Sequence, residues 1–187
     1  MPKKKPKLIL GFVGKFCAGK GVATEYLVKK HKFYYSSCSD RIREEILKRG
    51  QEITRERLQE VGGQLRQEFG SEVLAKRTWI DVCRSGGQRA VIDSIRGKEE
   101  VEFLKTIPGF YLLAIEANPK IRFQRMVERG INSDPKTWEE FLKTEERDKT
   151  GDGRNIQACL EMADFKIENN GTIEKLQKKI EKILKNI

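Results

Sequence analysis

Apolar positions along the chain switch between two spacings. Leu8–Val13 (LILGFV) is a short unbroken apolar run between a basic tail and a glycine-rich stretch, the pattern of a parallel strand buried on both faces. Val22 to Lys30 then reads as a helix. Phe33–Ser36 (FYYS) is a second strand, with Phe33, Tyr34 and Tyr35 expected in the core. Ser39 or Asp40 stands where a cap opens a charged helix that ends at Gly50. Thr54 starts another helix, in which Leu58, Val61, Leu65 and Phe69 recur at helical spacing until Gly70 stops it. A further helix runs from Ser71 to about Arg84.

The second half repeats the alternation. Ala90–Ile95 (AVIDSI) is a strand with an acid near its C-terminal end, and Phe110–Glu116 (FYLLAIE) is another. Pro119 sits where a first helical turn tolerates it, ahead of a helix over Ile121–Arg129. Residues 130–136 read as a loop, Trp138–Lys149 and Asn155–Ala163 as helices, Phe165–Glu168 as a last strand and Ile173–Asn186 as an amphipathic helix. Strands alternating with helices predict an α/β fold, a five-stranded parallel sheet covered on both faces. The 187 residues suit a single domain, without repeat or linker.

Composition narrows the class. With 37% hydrophobic and 35% charged residues, and no apolar run near the ~18 residues a bilayer requires, a membrane is not an expected partner. The basic start, residues 1–7, precedes too short an apolar stretch for an export signal, so a cytoplasmic location is expected. Cys17, Cys38, Cys83 and Cys159 form no CxxC pair, and His31 is the sole histidine, so neither a zinc site nor a disulfide framework is written here. The formal charge of +10 points to anionic partners but does not separate nucleic acid from nucleotides. A solvated basic surface explains it equally well.

The run Gly14-Lys15-Phe16-Cys17-Ala18-Gly19-Lys20-Gly21 matches GxxxxGK, directly after an apolar strand and opening a helix at Val22. Glycines let successive backbone N–H groups face inward, where they and the helix N-terminus hold phosphate oxygens. Lys20 then brings a positive charge to the β- and γ-phosphates of ATP. This is the loop of a three-layer P-loop NTPase fold. Gly21 stands where most such loops place a Ser or Thr for Mg²⁺. The ion is then held through water by acids elsewhere, or by Thr24. Asp93 is the acidic candidate, because the end of a parallel strand points into the binding crevice.

Gly19-Lys20-Gly21, Ser39-Asp40-Arg41-Ile42-Arg43 and Asp93-Ser94-Ile95-Arg96 resemble the three signatures of nucleoside monophosphate kinases of the adenylate kinase type. Arg43, the run from Thr54 to Arg77, residues 93–97 and residues 132–138 are also similar to an archaeal-type, adenylate-kinase-related group labelled dephospho-coenzyme A kinase-like. The likeness covers nearly the whole chain after residue 8. It implies a core over residues 8–38 and 88–187, a helical acceptor-binding insertion over about 39–86 and a short lid over about 130–146. It implies that Arg43 and Arg96, with Asp40, bind the acceptor phosphate. Two planar, always-charged guanidiniums can fix a phosphate for in-line attack. Arg125 and Arg129, four apart on one helix face with Arg122 three before, resemble the arginines that close over the triphosphate, and Arg147 would follow on the returning arm. Single arginines near Glu128 and Glu145 also read as charges on wet helix faces. Glu100 stands where adenylate kinases carry a glutamine that reads adenine, which argues against AMP, and otherwise reads as an exposed helix residue.

The function expected is ATP-dependent phosphoryl transfer to a nucleoside monophosphate or a related phosphate-bearing small molecule. Dephospho-coenzyme A is an alternative acceptor, whose hydroxyl would call on Asp40 or Asp93 as base. From another class, an ATP-gated RNA-binding module would use the basic charge and the tail at residues 2–7. It lacks the aromatic platform such modules stack bases on. A GTP-dependent switch lacks an NKxD-like segment.

Overall fold

The computed structural model describes residues 5–131, 134–147 and 155–187, with the Arg147 side chain left aside. Strand β1 (Leu8–Val13) leads into α1 (Lys20–His31), β2 (Tyr34–Ser37), α2 (Cys38–Lys48), α3 (Arg55–Phe69), α4 (Val73–Ser85) and β3 (Arg89–Asp93). Then follow α5 (Lys98–Lys105), β4 (Phe110–Glu116), α6 (Pro119–Arg129), α7 (Trp138–Arg147), α8 (Ile156–Glu161), β5 (Phe165–Glu168) and α9 (Ile173–Leu184). The five strands form a parallel sheet in the order β2-β3-β1-β4-β5, the arrangement of a P-loop kinase fold.

Period-two alternation distributes β1 between two cores. Ile9 and Val13 face a core closed by α2, α3, α4, α5 and α8, whereas Leu10 and Phe12 face one closed by α1 and α9. All four are fully buried. Burial of each such side chain stabilises the sheet by about 1.5–3 kcal/mol, which is why the run carries no polar residue. Because β1 pairs with both β3 and β4, the chain leaves the sheet in opposite directions from neighbouring strands. The crevice at their C-terminal ends is the place where such sheets bind ligands.

Several elements differ from the pattern reading. Tyr34 and Tyr35 are 36% and 40% exposed and only Phe33 enters the core. The reason is that β2 is an edge strand, so its side chains lack cover on one flank. The cap of α2 is Ser37, whose hydroxyl accepts from the Ser39 N–H at 3.2 Å, rather than Ser39 or Asp40. Strand β3 stops at Asp93 because Ser94 turns into the left-handed region at φ 62°. The pattern gives no bounds for the eight-residue α5, because its charged sequence KEEVEFLK obscures its core stripe.

Candidate active site

The loop between β1 and α1 is held from the β4–β5 side of the sheet. At Gly14 the backbone passes so close to β4 that a Cβ would lie 2.2 Å from the Ile115 carbonyl. At Gly19, with φ 109°, a Cβ would lie 2.2 Å from the Asn169 side-chain amide. That amide donates to the Ala18 carbonyl at 2.8 Å, so the residue after β5 pins the phosphate loop. Arg125 extends the clamp, donating to the Asn169 carbonyl at 2.9 Å and the Gly171 carbonyl at 3.2 Å. Nothing in the sequence flagged Asn169, since a lone amide after a strand has no periodicity or motif.

Helix α1 starts at Lys20 without a side-chain cap, which leaves its first N–H groups for an anion. The Lys20 ammonium folds back over the loop, donating to the Gly14 carbonyl at 2.7 Å and the Lys15 carbonyl at 3.0 Å. Burial lowers its pKa from 10.5 to about 8; the nearby Asp93 opposes this and Arg96 adds to it. A charged phosphate is what would satisfy such an amine.

A cleft of about 980 Å³ opens in front of the loop, walled by Phe16, Lys20, Asp93, Arg125, Arg129 and Thr172 among others. Cys17, Ala18, Gly19, Gly21 and Val22 line it too. Gly14 and Lys15 are not on this wall but supply the carbonyls that Lys20 engages. Asp93 stands at the end of β3 and accepts from the Ser94 N–H at 2.7 Å. Its place beside Lys20 fits a carboxylate that reaches Mg²⁺ through water. Thr24 does not fit: it is 7% exposed, its hydroxyl is buried without a partner and it does not line the cleft. Thr24 is packed with Ala23 and Leu27 among the buried residues of α1, one turn further from the loop than Lys20. Gly21 leaves the usual hydroxyl position open, with nothing within 4 Å of a Cβ there. Among the described residues no group of three or more His, Cys, Asp or Glu could hold a metal directly.

A second cavity, of about 440 Å³, lies against α2 and α3, and Ser39, Arg43, Arg66, Ser94, Arg96 and Asp134 contribute its polar wall. Phe16 and Ser94 line both spaces. The structure brings Arg43 and Arg96 to one cavity. It does not bring Asp40 to that wall. Asp40 instead accepts from Arg43 at 2.9 Å, while Ser39 accepts from the same guanidinium at 2.7 Å. The α2 helix turns Ser39 inward and leaves Asp40 one residue further round.

Glu100 corrects the expectation of an exposed helix residue: it is fully buried. One carboxylate oxygen accepts from Arg66 at 3.0 Å, and the other from the N–H groups of Arg96 and Gly97 at 2.9 and 3.1 Å. Both oxygens being engaged, Glu100 is a structural anchor for the segment that carries Arg96. Arg66 and Arg55, absent from the residues singled out by sequence, line this cavity as well.

The α6 arginines divide. Arg122 is 1% exposed, bonded bidentately to Glu145 at 2.6 and 2.7 Å and donating to the carbonyls of Phe16 and Ala117. It ties α7 to the phosphate loop, so the wet-face reading of Glu145 does not hold. Packing of Phe123, Trp138 and Phe141, with ring centroids 5.3–5.6 Å apart, completes the α6–α7 contact. Arg129 covers the Phe16 ring at 4.8 Å and pairs with Asp134 at 2.7 Å. Arg147 ends α7, and its side chain falls outside the described residues.

A family model described as an AAA domain matches residues 10–150. The UPF0200 protein of Thermococcus kodakarensis is 36% identical over 165 residues, covering 85% of this chain and 87% of that one. The UPF0200 protein of Pyrococcus horikoshii is 37% identical over 186 residues, covering 96% of this chain and 97% of that one. The chain belongs to the UPF0200 family. Solved structures similar to this UPF0200 chain include the shikimate kinase of Acinetobacter baumannii in complex with shikimate, at TM-score 0.59 and 17% identity, covering 98% and 96% of the two chains. Another is the APS kinase of Mycobacterium tuberculosis in complex with AMPPNP and APS, at TM-score 0.58 and 13% identity, covering 97% and 99%. At these identities the likeness is one of fold: UPF0200 here has the P-loop kinase fold. The adenylate kinase and dephospho-coenzyme A kinase subgroups are not what these matches name.

Proposed function

We propose that this UPF0200 protein is an ATP-dependent phosphotransferase whose acceptor is a nucleoside monophosphate or a related phosphate-bearing small molecule. The observation that carries the reading is the meeting of two cavities at Phe16 and Ser94, one walled by the phosphate loop and one by Arg43, Arg66 and Arg96. A donor and an acceptor phosphate bound on the two sides would face each other there. Such transfer relies on positioning and on charge stabilisation, which these residues can supply without a base of unusual pKa.

In this reading Lys20 exchanges its two carbonyl contacts for oxygens of the β- and γ-phosphates. An acceptor phosphate oxygen, oriented by Arg43 and Arg96, forms a bond to the γ-phosphorus as the bond to the β–γ bridging oxygen breaks, leaving ADP. Arg129 is close enough to the loop through Phe16 to take up charge that develops between the two. Mg²⁺, held through water by Asp93, would neutralise charge on the β- and γ-phosphates. Helices α2 to α4 would form the acceptor-binding insertion, and the segment from 130 to 146, of which 132 and 133 lie outside the described residues, the lid.

The test is a coupled assay with Mg·ATP and a panel of nucleoside monophosphates, with dephospho-coenzyme A as a separate arm. Transfer to a monophosphate that Lys20→Ala abolishes is the expected result. Transfer to dephospho-coenzyme A alone would favour the hydroxyl-acceptor alternative, with Asp93 as the base on the cleft wall. No transfer to any acceptor by protein that binds Mg·ATP overturns the proposal.

A further inference from the structure

Ser94 adopts φ 62° immediately after β3. In that left-handed region the Cβ of an L-residue crowds its own backbone, whereas glycine sits there without cost. The chain nevertheless places a serine at this turn. Its conformation is imposed from both ends. Upstream, Asp93 is paired with Ser37 in the sheet and its carboxylate holds the Ser94 N–H at 2.7 Å. Downstream, Ile95 is 2% exposed in the core, and Glu100 fixes the N–H groups of Arg96 and Gly97. A strained residue persists where its surroundings over-determine it, and such positions concentrate at functional sites.

The side chain is what distinguishes this position from a glycine turn. Ser94 is one of two described residues that line both cavities, and the other, Phe16, has no hydrogen-bonding side chain. Among the described residues no group bonds the Ser94 hydroxyl. It is flanked on the acceptor wall by Arg43 and Arg96, which carry charge but reach from α2 and from the segment after β3.

We infer that Ser94 is a phosphate-binding residue at the seam of the two cavities, its hydroxyl donating to an oxygen of the phosphate held on the arginine side. This deepens the phosphotransferase reading and rests on it for the identity of the ligand. A neutral donor on a strained but rigid turn adds direction where guanidiniums add charge: it fixes the rotation of a phosphate that Arg43 and Arg96 attract. A hydrogen bond to an ionised phosphate is lost when the hydroxyl is removed, which weakens binding by roughly tenfold to a hundredfold.

The experiment titrates inorganic phosphate by calorimetry into full-length protein saturated with Mg·AMPPNP, for wild type, Ser94→Ala and Ser94→Gly. Both variants are expected to bind phosphate at least about tenfold more weakly, with Mg·AMPPNP affinity within about twofold of wild type. Ser94→Gly is expected to melt above Ser94→Ala, because it alone relieves the left-handed strain. Wild-type phosphate affinity in Ser94→Ala, or no phosphate binding by wild type, overturns the inference. So does wild-type affinity in Ser94→Gly with loss only in Ser94→Ala, which would make the residue merely conformational. Failure of the phosphotransferase reading looks different: wild type would bind both probes, the variants would differ as expected, and no acceptor in the panel would be phosphorylated.

Discussion

The Arg66 guanidinium lies 3.0 Å from the Glu100 carboxylate in a pair 10% exposed on one side and fully buried on the other. Because the second Glu100 oxygen accepts from the Arg96 and Gly97 N–H groups, this one carboxylate joins α3 to the segment carrying Arg96. Removing one partner of a buried pair leaves the other charged and unpaired, which destabilises a protein by about 3–5 kcal/mol. Glu100→Ala should therefore lower the urea midpoint markedly. Glu100→Gln, which keeps the shape but presents an NH₂ to one of its donors, should fold and raise the acceptor KM more than that for ATP. Equal changes in both constants would place Glu100 outside the acceptor site.

Lys20 should make both stability and nucleotide binding depend on pH. Its folded pKa, about 8, lies below the ordinary 10.5. Below pH 8 it is charged in folded and unfolded chains, and the burial penalty is fully present. Between about 8 and 10.5 the folded chain has lost a proton that the unfolded chain keeps, so this group's contribution to stability rises with pH. Phosphate binding favours the charged amine, so nucleotide affinity should fall as pH rises past about 8. Calorimetry at pH 8.5 in buffers of different ionisation enthalpy should register proton uptake on binding Mg·AMPPNP in wild type and not in Lys20→Ala.

Gly21 offers a gain-of-function test. With no atom within 4 Å of a Cβ and a place in the first turn of α1, it should accept serine without a clash. Gly21→Ser should stabilise the helix by a few tenths of a kcal/mol to about 0.5 kcal/mol. It should also shift the Mg²⁺ dependence of AMPPNP binding to lower concentration, by supplying the hydroxyl the wild-type loop lacks. An unchanged Mg²⁺ titration would show that the ion is not held at that end of the loop.

Arg122 and Glu145 form a buried bidentate pair between α6 and α7. Glu145→Ala strands the Arg122 charge and should cost about 3 kcal/mol in urea unfolding. The variant should also weaken nucleotide binding, since Arg122 holds the Phe16 carbonyl at 3.2 Å.

Glu181 on α9 accepts from Tyr26 and from His31 and pairs with Lys30, contacts that hold its pKa down to about 2. Its contribution to stability is present above about 4.5 and is lost as pH falls toward 2. Glu181→Gln should therefore lower the urea midpoint at neutral pH and flatten its further fall between about pH 4.5 and 2.

How much of this was legible in the chain follows from the range of the forces involved. The phosphate loop was readable because its glycines, lysine and flanking strand are contiguous. Arg43 and Arg96 were readable only through resemblance, each being an ordinary surface arginine in isolation. Glu100 and Arg66 were misjudged or passed over because a charged residue on a charged helix looks solvated until its partner, 34 positions away, is known. Tyr34 and Tyr35 were misjudged because strand composition does not say which strand is at the edge.

Local order alone determined the alternation of strands and helices and the glycine-rich loop after β1, since each depends on backbone sterics and side-chain spacing within about ten residues. Tertiary structure decided which charges are buried, that Thr24 faces the core, that Asn169 and Arg125 clamp the loop, and that Ser94 stands between two cavities. Those outcomes depend on desolvation and on contacts between segments distant in the chain, for which neighbouring residues carry no signal.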